Sequence, residues 1–351
     1  MSIKTISLFT GCGGLDLGVT GGFSVFSESI GLKAPGWTTL KRTPFDIIFA
    51  NDVMPQAKKI WERNFKGDYL LSPVEELIKK PKTFPKAELV IGGFPCQDFS
   101  LAGKRKGFAS ERGLLYKAMA EVIGIVKPKA FVAENVQGML SMPGVLEKIM
   151  REFSEHGYQV YAYPVNAQDY GVSQSRKRIF LIGLRKKAMK RKVDYEDLKP
   201  KPSHDDKPII LKKIFNDLKE PELSNDYEQK FYSKAKWYGK KRQGNTEINL
   251  KGVGPTIRAE HHGNIEFRRL SKRNGGIYLD ELAAGMAERR LTIRECARIQ
   301  SFPDEFKFLR DGSEELVGAS SAYKLIGNAV PPLLAYRFAK SLADVWEYVY
   351  G

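Results

Sequence analysis

The chain has 351 residues, 42% of them hydrophobic and 28% charged, with 57 Lys and Arg against 41 Asp and Glu for a formal net charge of +16. This gives enough apolar material for a full core in roughly two domains, and the positive excess points to a polyanionic partner. Three cysteines, Cys12, Cys96 and Cys296, are too few and too scattered for a disulfide frame or a zinc site. No apolar run is long enough to span a bilayer and no charged-then-apolar leader opens the chain. The expectation is a reduced, cytoplasmic protein with no metal and no membrane partner.

Residues 6–9 read as a buried strand that runs into Thr10-Gly11-Cys12-Gly13-Gly14 and then a helix from Leu15. A glycine-rich turn between strand and helix brings a ligand close to backbone N–H groups. It lacks the full spacing of a dinucleotide fingerprint. Residues 21–43 read as an irregular surface insertion. Residues 45–50 form a second buried strand ending at Asn51-Asp52. An acid at that tip either holds ribose hydroxyls, as in Rossmann-like folds, or caps the helix expected over 58–65. Asp68 follows Gly67 where a third strand edge would begin, and a short helix is expected near 74–79.

Residues 89–91 read as a strand buried on both faces, broken by Gly92-Gly93 and followed by Phe94-Pro95-Cys96-Gln97-Asp98-Phe99-Ser100. Pro95 fixes its own φ and biases Phe94 away from helix, so the backbone before Cys96 is stiff. An isolated cysteine packs as a small hydrophobe more often than it reacts. A thiol on a rigid loop at the carboxyl end of a buried strand, however, lies where open α/β sheets place their chemistry. A basic loop, Lys104-Arg105-Lys106-Gly107, comes next, then a helix opening at Arg112-Gly113-Leu114-Leu115.

Residues 130–133 form another buried strand, ending in Glu134-Asn135-Val136. A glutamate after so apolar a strand is poorly solvated, which raises its pKa; the competing reading is an exposed loop acid. A helix over 145–156 and a strand over 159–165 lead to Gln174-Ser175-Arg176-Lys177-Arg178 and the strand 179–183. Arg176 and Arg178, two apart, share a face.

From Arg185 onward, Lys/Arg and Lys/Pro clusters read as a linker into a second domain. The segment to about residue 290 mixes aromatics and bases, including Gly254-Pro255-Thr256-Ile257-Arg258. It suits phosphate contacts with some base-edge readers, against the plainer reading of a solvated insert. Residues 291–300 read as an amphipathic helix with Cys296 in its core face. Gly327-Asn328 before Pro331-Pro332 is a second close-approach site ahead of a terminal helix. The fold expected is α/β, with a large domain over 1–184 and 322–351 and a smaller, irregular one over 185–321.

Six motifs in this order resemble the DNA cytosine-5 methyltransferases of prokaryotic type: Phe9-Thr10-Gly11-Cys12-Gly13-Gly14, Gly93-Phe94-Pro95-Cys96-Gln97, Glu134-Asn135-Val136, Gln174 to Arg178, Arg294 to Gln300, and Gly327 to Pro331. They span nearly the whole chain, with a divergent stretch where the family has its target-recognition domain. Asp52 stands where many members carry Glu, and the 21–43 excursion looks longer than usual. The resemblance implies a Rossmann-like S-adenosylmethionine methyltransferase sheet that flips a cytosine out of double-stranded DNA, methylates its carbon 5 and releases S-adenosylhomocysteine.

It also implies roles. Cys96 is the nucleophile at carbon 6, Glu134 holds and protonates ring nitrogen 3, Arg178 meets carbonyl oxygen 2, and Arg176 meets the phosphate and active-site loop. Cofactor contacts fall on Phe9, Thr10, Gly11, Cys12, Gly13, Gly14, Asp52 (ribose), Val53, Asp68 (adenine), Tyr69, Gly93, Pro95, Leu115, Asn328 and Ala329. DNA contacts fall on Gln97, Ser100, Lys104, Arg105, Asn135, Gln174 and Arg258, with the basic 185–290 segment gripping the distorted duplex. A monomer is expected, with a cognate restriction endonuclease as a separate partner. The alternative is a tRNA methyltransferase of the same fold, but its short Cys-Phe-Thr stretch is missing here.

Overall fold

The computed structural model describes residues 2–95, 115–239, 243–259 and 265–351. In chain order its main strands are β1 (Ile3–Leu8), β2 (Ser24–Phe26), β3 (Trp37–Thr39), β4 (Phe45–Asp52), β5 (Asp68–Leu71), β6 (Leu89–Gly92), β7 (Ala130–Val136), β8 (Tyr158–Asn166) and β9 (Lys177–Arg185). All but β2 and β3 form one seven-stranded sheet in the order β5-β4-β1-β6-β7-β9-β8. The first five of these neighbours are parallel, and β9 runs against both β7 and β8. Strand order reverses between β1 and β6, so the connections after these two strands leave on opposite faces and open a crevice at their carboxyl ends.

Helices cover both faces, which is why β6 and the first half of β7 are continuous apolar runs rather than alternating ones. The main helices of the large domain are α1 (Gly14–Thr20), α2 (Pro55–Asn64), α3 (Val74–Ile78), α4 (Leu115–Val126) and α5 (Val145–Glu155). A short α6 (Tyr195–Leu198) follows β9, and the chain closes with α7 (Ile293–Ile299), α8 (Ala319–Asn328) and α9 (Pro332–Tyr350). Leu15 and Val19 of α1 pack with Phe338 and Leu342 of α9 on one face; Met119 and Ile123 of α4 pack with Ile149 and Phe153 of α5 on the other. At Gly18 an added Cβ would lie 2.4 Å from Ala335 Cβ, so α1 and α9 meet at backbone distance. The last helix thereby holds the first turn of the chain.

Three expectations are revised. Residues 21–43 are not a loose insertion: β2 and β3 pair as a hairpin, and Phe23, Val25 and Leu40 enter the main core. The segment after Arg185 does not leave the large domain at once, because Val193 and Leu198 join the same core and the Tyr195 ring lies 4.4 Å from that of Tyr163. And α7 is buried at every residue instead of presenting a polar face to water. Its charges are buried by pairing: Arg294 meets Asp226 at 2.5 Å and Glu228 at 3.2 Å, and Arg298 meets Asp217 and Asp304 at 2.5 Å each. Cys296 is fully buried in this second core with Ile257, Leu291, Phe302 and Phe306. Among the described residues no helix is long and apolar enough to cross a membrane.

Candidate active site at the carboxyl edge of the sheet

β1 ends in a left-handed turn, with φ 53° at Phe9, 56° at Gly11 and 91° at Gly13. A bulky residue such as Phe9 rarely takes that conformation, and it persists only where its surroundings enforce it. A Cβ on Gly13 would come within 2.3 Å of the Phe65 ring, whereas at Gly11 it would meet nothing within 4 Å. The turn is therefore packed from behind and open in front.

What fixes it is Asp16, which sequence reasoning missed. This carboxylate is fully buried and accepts from Ser7 Oγ at 2.6 Å, from Trp61 Nε1 at 2.6 Å and from Thr10 Oγ1. Burial pushes its pKa up, against the three donors that pull it down. The signal was present in the run Leu15-Asp16-Leu17-Gly18-Val19, an acid inside an apolar helix. Cys12, by contrast, turns its thiol into the second core, 3.6 Å from Leu325 O, and burial raises that thiol to about 12. Only its backbone borders the crevice.

Asp52, at the tip of β4, accepts the Gly11 N–H on Oδ2 at 2.9 Å and the Val53 and Met54 N–H groups on Oδ1 at 2.7 and 3.0 Å. It ties the second strand tip to the glycine turn and closes the Val53–Met54 turn ahead of α2, whose N-cap, Met54, receives no side-chain hydrogen bond. Beside it Val53 is 60% exposed, an apolar side chain open at the strand tip. Asp68 does not join them. It opens β5 and pairs with Phe49, three residues short of the row where Asp52 meets Leu71, so Ser72 rather than Asp68 stands at the carboxyl edge. Tyr69 is buried, its ring 5.4 Å from that of Trp61 behind the turn.

Glu134, near the end of β7, is 8% exposed and its Oε1 lies 2.8 Å from Arg178 Nε. A Cβ on Gly93 would touch Glu134 Oε2 at 3.3 Å, so the carboxylate lies over the backbone of the Gly93-Phe94-Pro95 stretch. Burial raises the Glu134 pKa more than Arg178 and Arg176 lower it. Pro95 is half-buried and Leu115 opens α4. Cys96, Gln97, Ser100, Lys104 and Arg105 lie outside the described residues.

Three residues expected to touch DNA or phosphate are engaged inside the protein. Asn135 Nδ2 donates to Phe94 O at 3.1 Å, anchoring the strand end that leads to Cys96. Arg176 is 2% exposed; its guanidinium donates to Ile257 O at 3.1 Å and to Gly327 O and Ala329 O at 3.0 Å. Gln174 is fully buried against Gln300, which itself donates to Ile326 O at 2.9 Å and Ala329 O at 2.6 Å. These buried side chains fasten the 326–329 turn, so Asn328 is presented, exposed, at the end of α8. Gly327 also lets the Arg258 backbone approach, since a Cβ there would lie 2.6 Å from Arg258 C. Arg176, two residues before Arg178, thus joins the stretch around Ile257 to the 326–329 turn.

Beside a crevice at the strand-order switch, a glycine turn with an acid at the next strand tip and a buried Glu–Arg pair over the Gly93-Phe94-Pro95 stretch, the sequence matches one family nearly throughout: the profile of C-5 cytosine-specific DNA methylases covers residues 3–344. The chain belongs to this family. It is 34% identical to the Type II methyltransferase M.BspRI of Lysinibacillus sphaericus, over 97% of this chain and 81% of that protein. It is 31% identical to M.FnuDI of Fusobacterium nucleatum, over 97% and 94%. Among solved structures, the S. pombe Dnmt2 methyltransferase superposes with a TM-score of 0.65 at 16% identity, covering 98% of this chain and 99% of that one, which shows the shared fold. As a member of this family it is a DNA methylase specific for carbon 5 of cytosine.

Proposed function

We propose that this methylase takes its methyl group from S-adenosylmethionine and passes it to a cytosine rotated out of the duplex, through a transient bond from the Cys96 sulfur to carbon 6. The observation that carries the reading is the Glu134–Arg178 pair at 2.8 Å, held over the stretch that leads into Cys96. Carbon 5 of cytosine is a poor nucleophile; adding a thiolate at carbon 6 makes the ring enamine-like and divides a hard step into two easier ones. As sulfur bonds to carbon 6, Glu134 delivers its proton to ring nitrogen 3, which its raised pKa favours. Arg178 stabilises the oxygen 2 side of the ring. Once carbon 5 carries the methyl group, a base removes its proton and the sulfur departs.

The residues at the glycine turn fit an adenosyl methyl donor, which when bound supplies an electrophilic methyl group. Gly11 faces open space, Asp52 Oδ2 has room for a hydroxyl beside the Gly11 N–H, and Val53 offers an uncovered apolar contact. Asn328 would close the site from the far end of the chain. The base is extruded because a stacked carbon 5 is out of reach, at a cost of a few kcal/mol. Arg258, backed by Gly327, reads or positions the target, and the enzyme works as a monomer with any cognate endonuclease acting separately. A tRNA substrate has less support, since the likeness to Dnmt2 at 16% identity carries the fold alone. Bisulfite sequencing of DNA from a methylation-free host expressing the chain tests the reading: cytosines protected within one recurring sequence support it, and uniformly converted DNA refutes it.

A further inference from the structure

Much of the chain's positive charge gathers at the end of the sheet away from the crevice. β9 runs opposite to the parallel strands, from Arg178 beside Val136 to Leu184 beside Ala130, so Arg185 emerges at their amino edge. There its N–H donates to Lys129 O at 2.8 Å and its guanidinium to Lys127 O at 3.0 Å. Three stretches converge: 86–88 before β6, 127–129 before β7, and 185–192 after β9. Together they hold nine Lys or Arg and one acid, half of the net +16 of the chain. That acid, Glu88, is paired with Lys129 at 3.2 Å.

The strip is held on fixed backbone. Lys186 N–H donates to Gly157 O at 3.0 Å, Met189 N–H to Arg185 O at 3.2 Å and Lys190 N–H to Val349 O at 2.8 Å. The Arg191 guanidinium lies 5.1 Å from the centre of the Tyr348 ring. Lys186, Lys187, Lys190 and Lys192 are exposed, and none of the four has an ion pair among the described residues. The next acids along the chain, Asp194 and Asp197, form a capping box on the first turn of α6 and make no ion pair with these lysines among the described residues. Like charges held together on a fixed frame repel, and a polyanion that displaces their counterions relieves this.

The duplex being methylated cannot be that polyanion. The seven residue steps of β9 from Arg178 to Arg185 put about 23 Å between the crevice end of the strand and its far end. The basic residues 185–192 thus lie at the edge of the sheet opposite the crevice. We propose that the amino edge of the sheet is a second DNA-binding surface, holding backbone phosphates of a duplex segment other than the one in the crevice. It rests on the DNA-acting reading above and adds a site to it. Lysine point charges at a strand edge read phosphate and not sequence, so the surface keeps the enzyme on DNA between target encounters.

The test is the full chain with Lys186→Glu, Lys187→Glu, Lys190→Glu and Lys192→Glu combined. On a duplex of about 20 base pairs with one target, which cannot occupy both surfaces, kcat and KM stay within roughly twofold of the parent. Binding to long duplex lacking the target weakens by roughly tenfold or more, and the slope of log K against log salt falls by about 3–4, near 0.9 for each lost phosphate contact. Unchanged long-duplex affinity and slope overturn the proposal. So does an equal loss on the short duplex, which would place the strip in the substrate site, or a parent strip that prefers single-stranded RNA to duplex DNA. A parent inactive on every duplex would instead sink the methylation reading, while the long-duplex comparison still decides this one.

Discussion

Glu134 Oε1 stands 2.8 Å from Arg178 Nε across two neighbouring strands that run in opposite directions, β7 and β9. The antiparallel reversal matters: it brings the start of β9, not its end, to the carboxyl edge, so a cation meets the buried acid where the Pro-Cys loop begins. Burial pushes the Glu134 pKa up while the Arg178 guanidinium pulls it down, so the two together set how readily the carboxyl holds a proton.

Glu134→Gln keeps the shape and removes the transferable proton. Turnover is expected to fall by roughly 10²–10⁴-fold, the usual worth of a positioned acid, while DNA affinity changes far less. Rates on a saturating short duplex beside equilibrium binding check this. Equal losses in both would make Glu134 a structural group.

Asp16→Asn replaces one of two accepting oxygens by an amide N–H₂, which must face either Ser7 or the Thr10 and Trp61 donors. Denaturant unfolding at neutral pH is expected to show a loss of about 1–3 kcal/mol, with weaker binding of the methyl donor. The pH dependence gives the sign. Because the folded pKa of Asp16 is raised, its neutral form favours folding. Relative to the Asn variant, the parent should gain stability as pH falls through that raised value and level off below the unfolded value of about 3.9. A parent-minus-variant difference that shrinks on acidification would contradict the burial argument.

Arg176→Met leaves the carbonyls of Ile257, Gly327 and Ala329 without their donor. Unmet buried groups cost about 1–3 kcal/mol each before relaxation, so thermal stability should drop clearly. Donor affinity and DNA affinity should fall together, because those carbonyls belong to the cofactor-side turn and the divergent segment. A variant of parental stability whose salt slope for DNA falls by about one would restore the phosphate role expected from sequence.

Much of this was legible beforehand. Leu89-Val90-Ile91 and Ala130-Phe131-Val132-Ala133 announce strands covered on both faces, and Pro95 and Glu134 fall at their carboxyl ends, as the Gly-rich turn does at the end of β1, because a doubly covered parallel sheet leaves only its edges for polar chemistry. Asp68 opens β5 as its place after Gly67 suggests, and for that reason it lies at the far end of the strand from the carboxyl edge where an adenine contact is expected. Arg176 and Gln174 look like DNA contacts in one dimension; their carbonyl partners lie 81 to 153 residues away. The lysines at 185–192 carry no mark of direction, and only the antiparallel course of β9 sends them to the opposite edge.

The most direct measurement is single-turnover methyl transfer by Cys96→Ala, alongside its donor affinity and thermal unfolding. The account predicts donor affinity and folding close to the parent, no detectable methylcytosine, and no denaturation-resistant protein–DNA adduct with a cytosine whose carbon 5 hydrogen is replaced by fluorine. Methyl transfer by that variant at anything near the parental rate would contradict it.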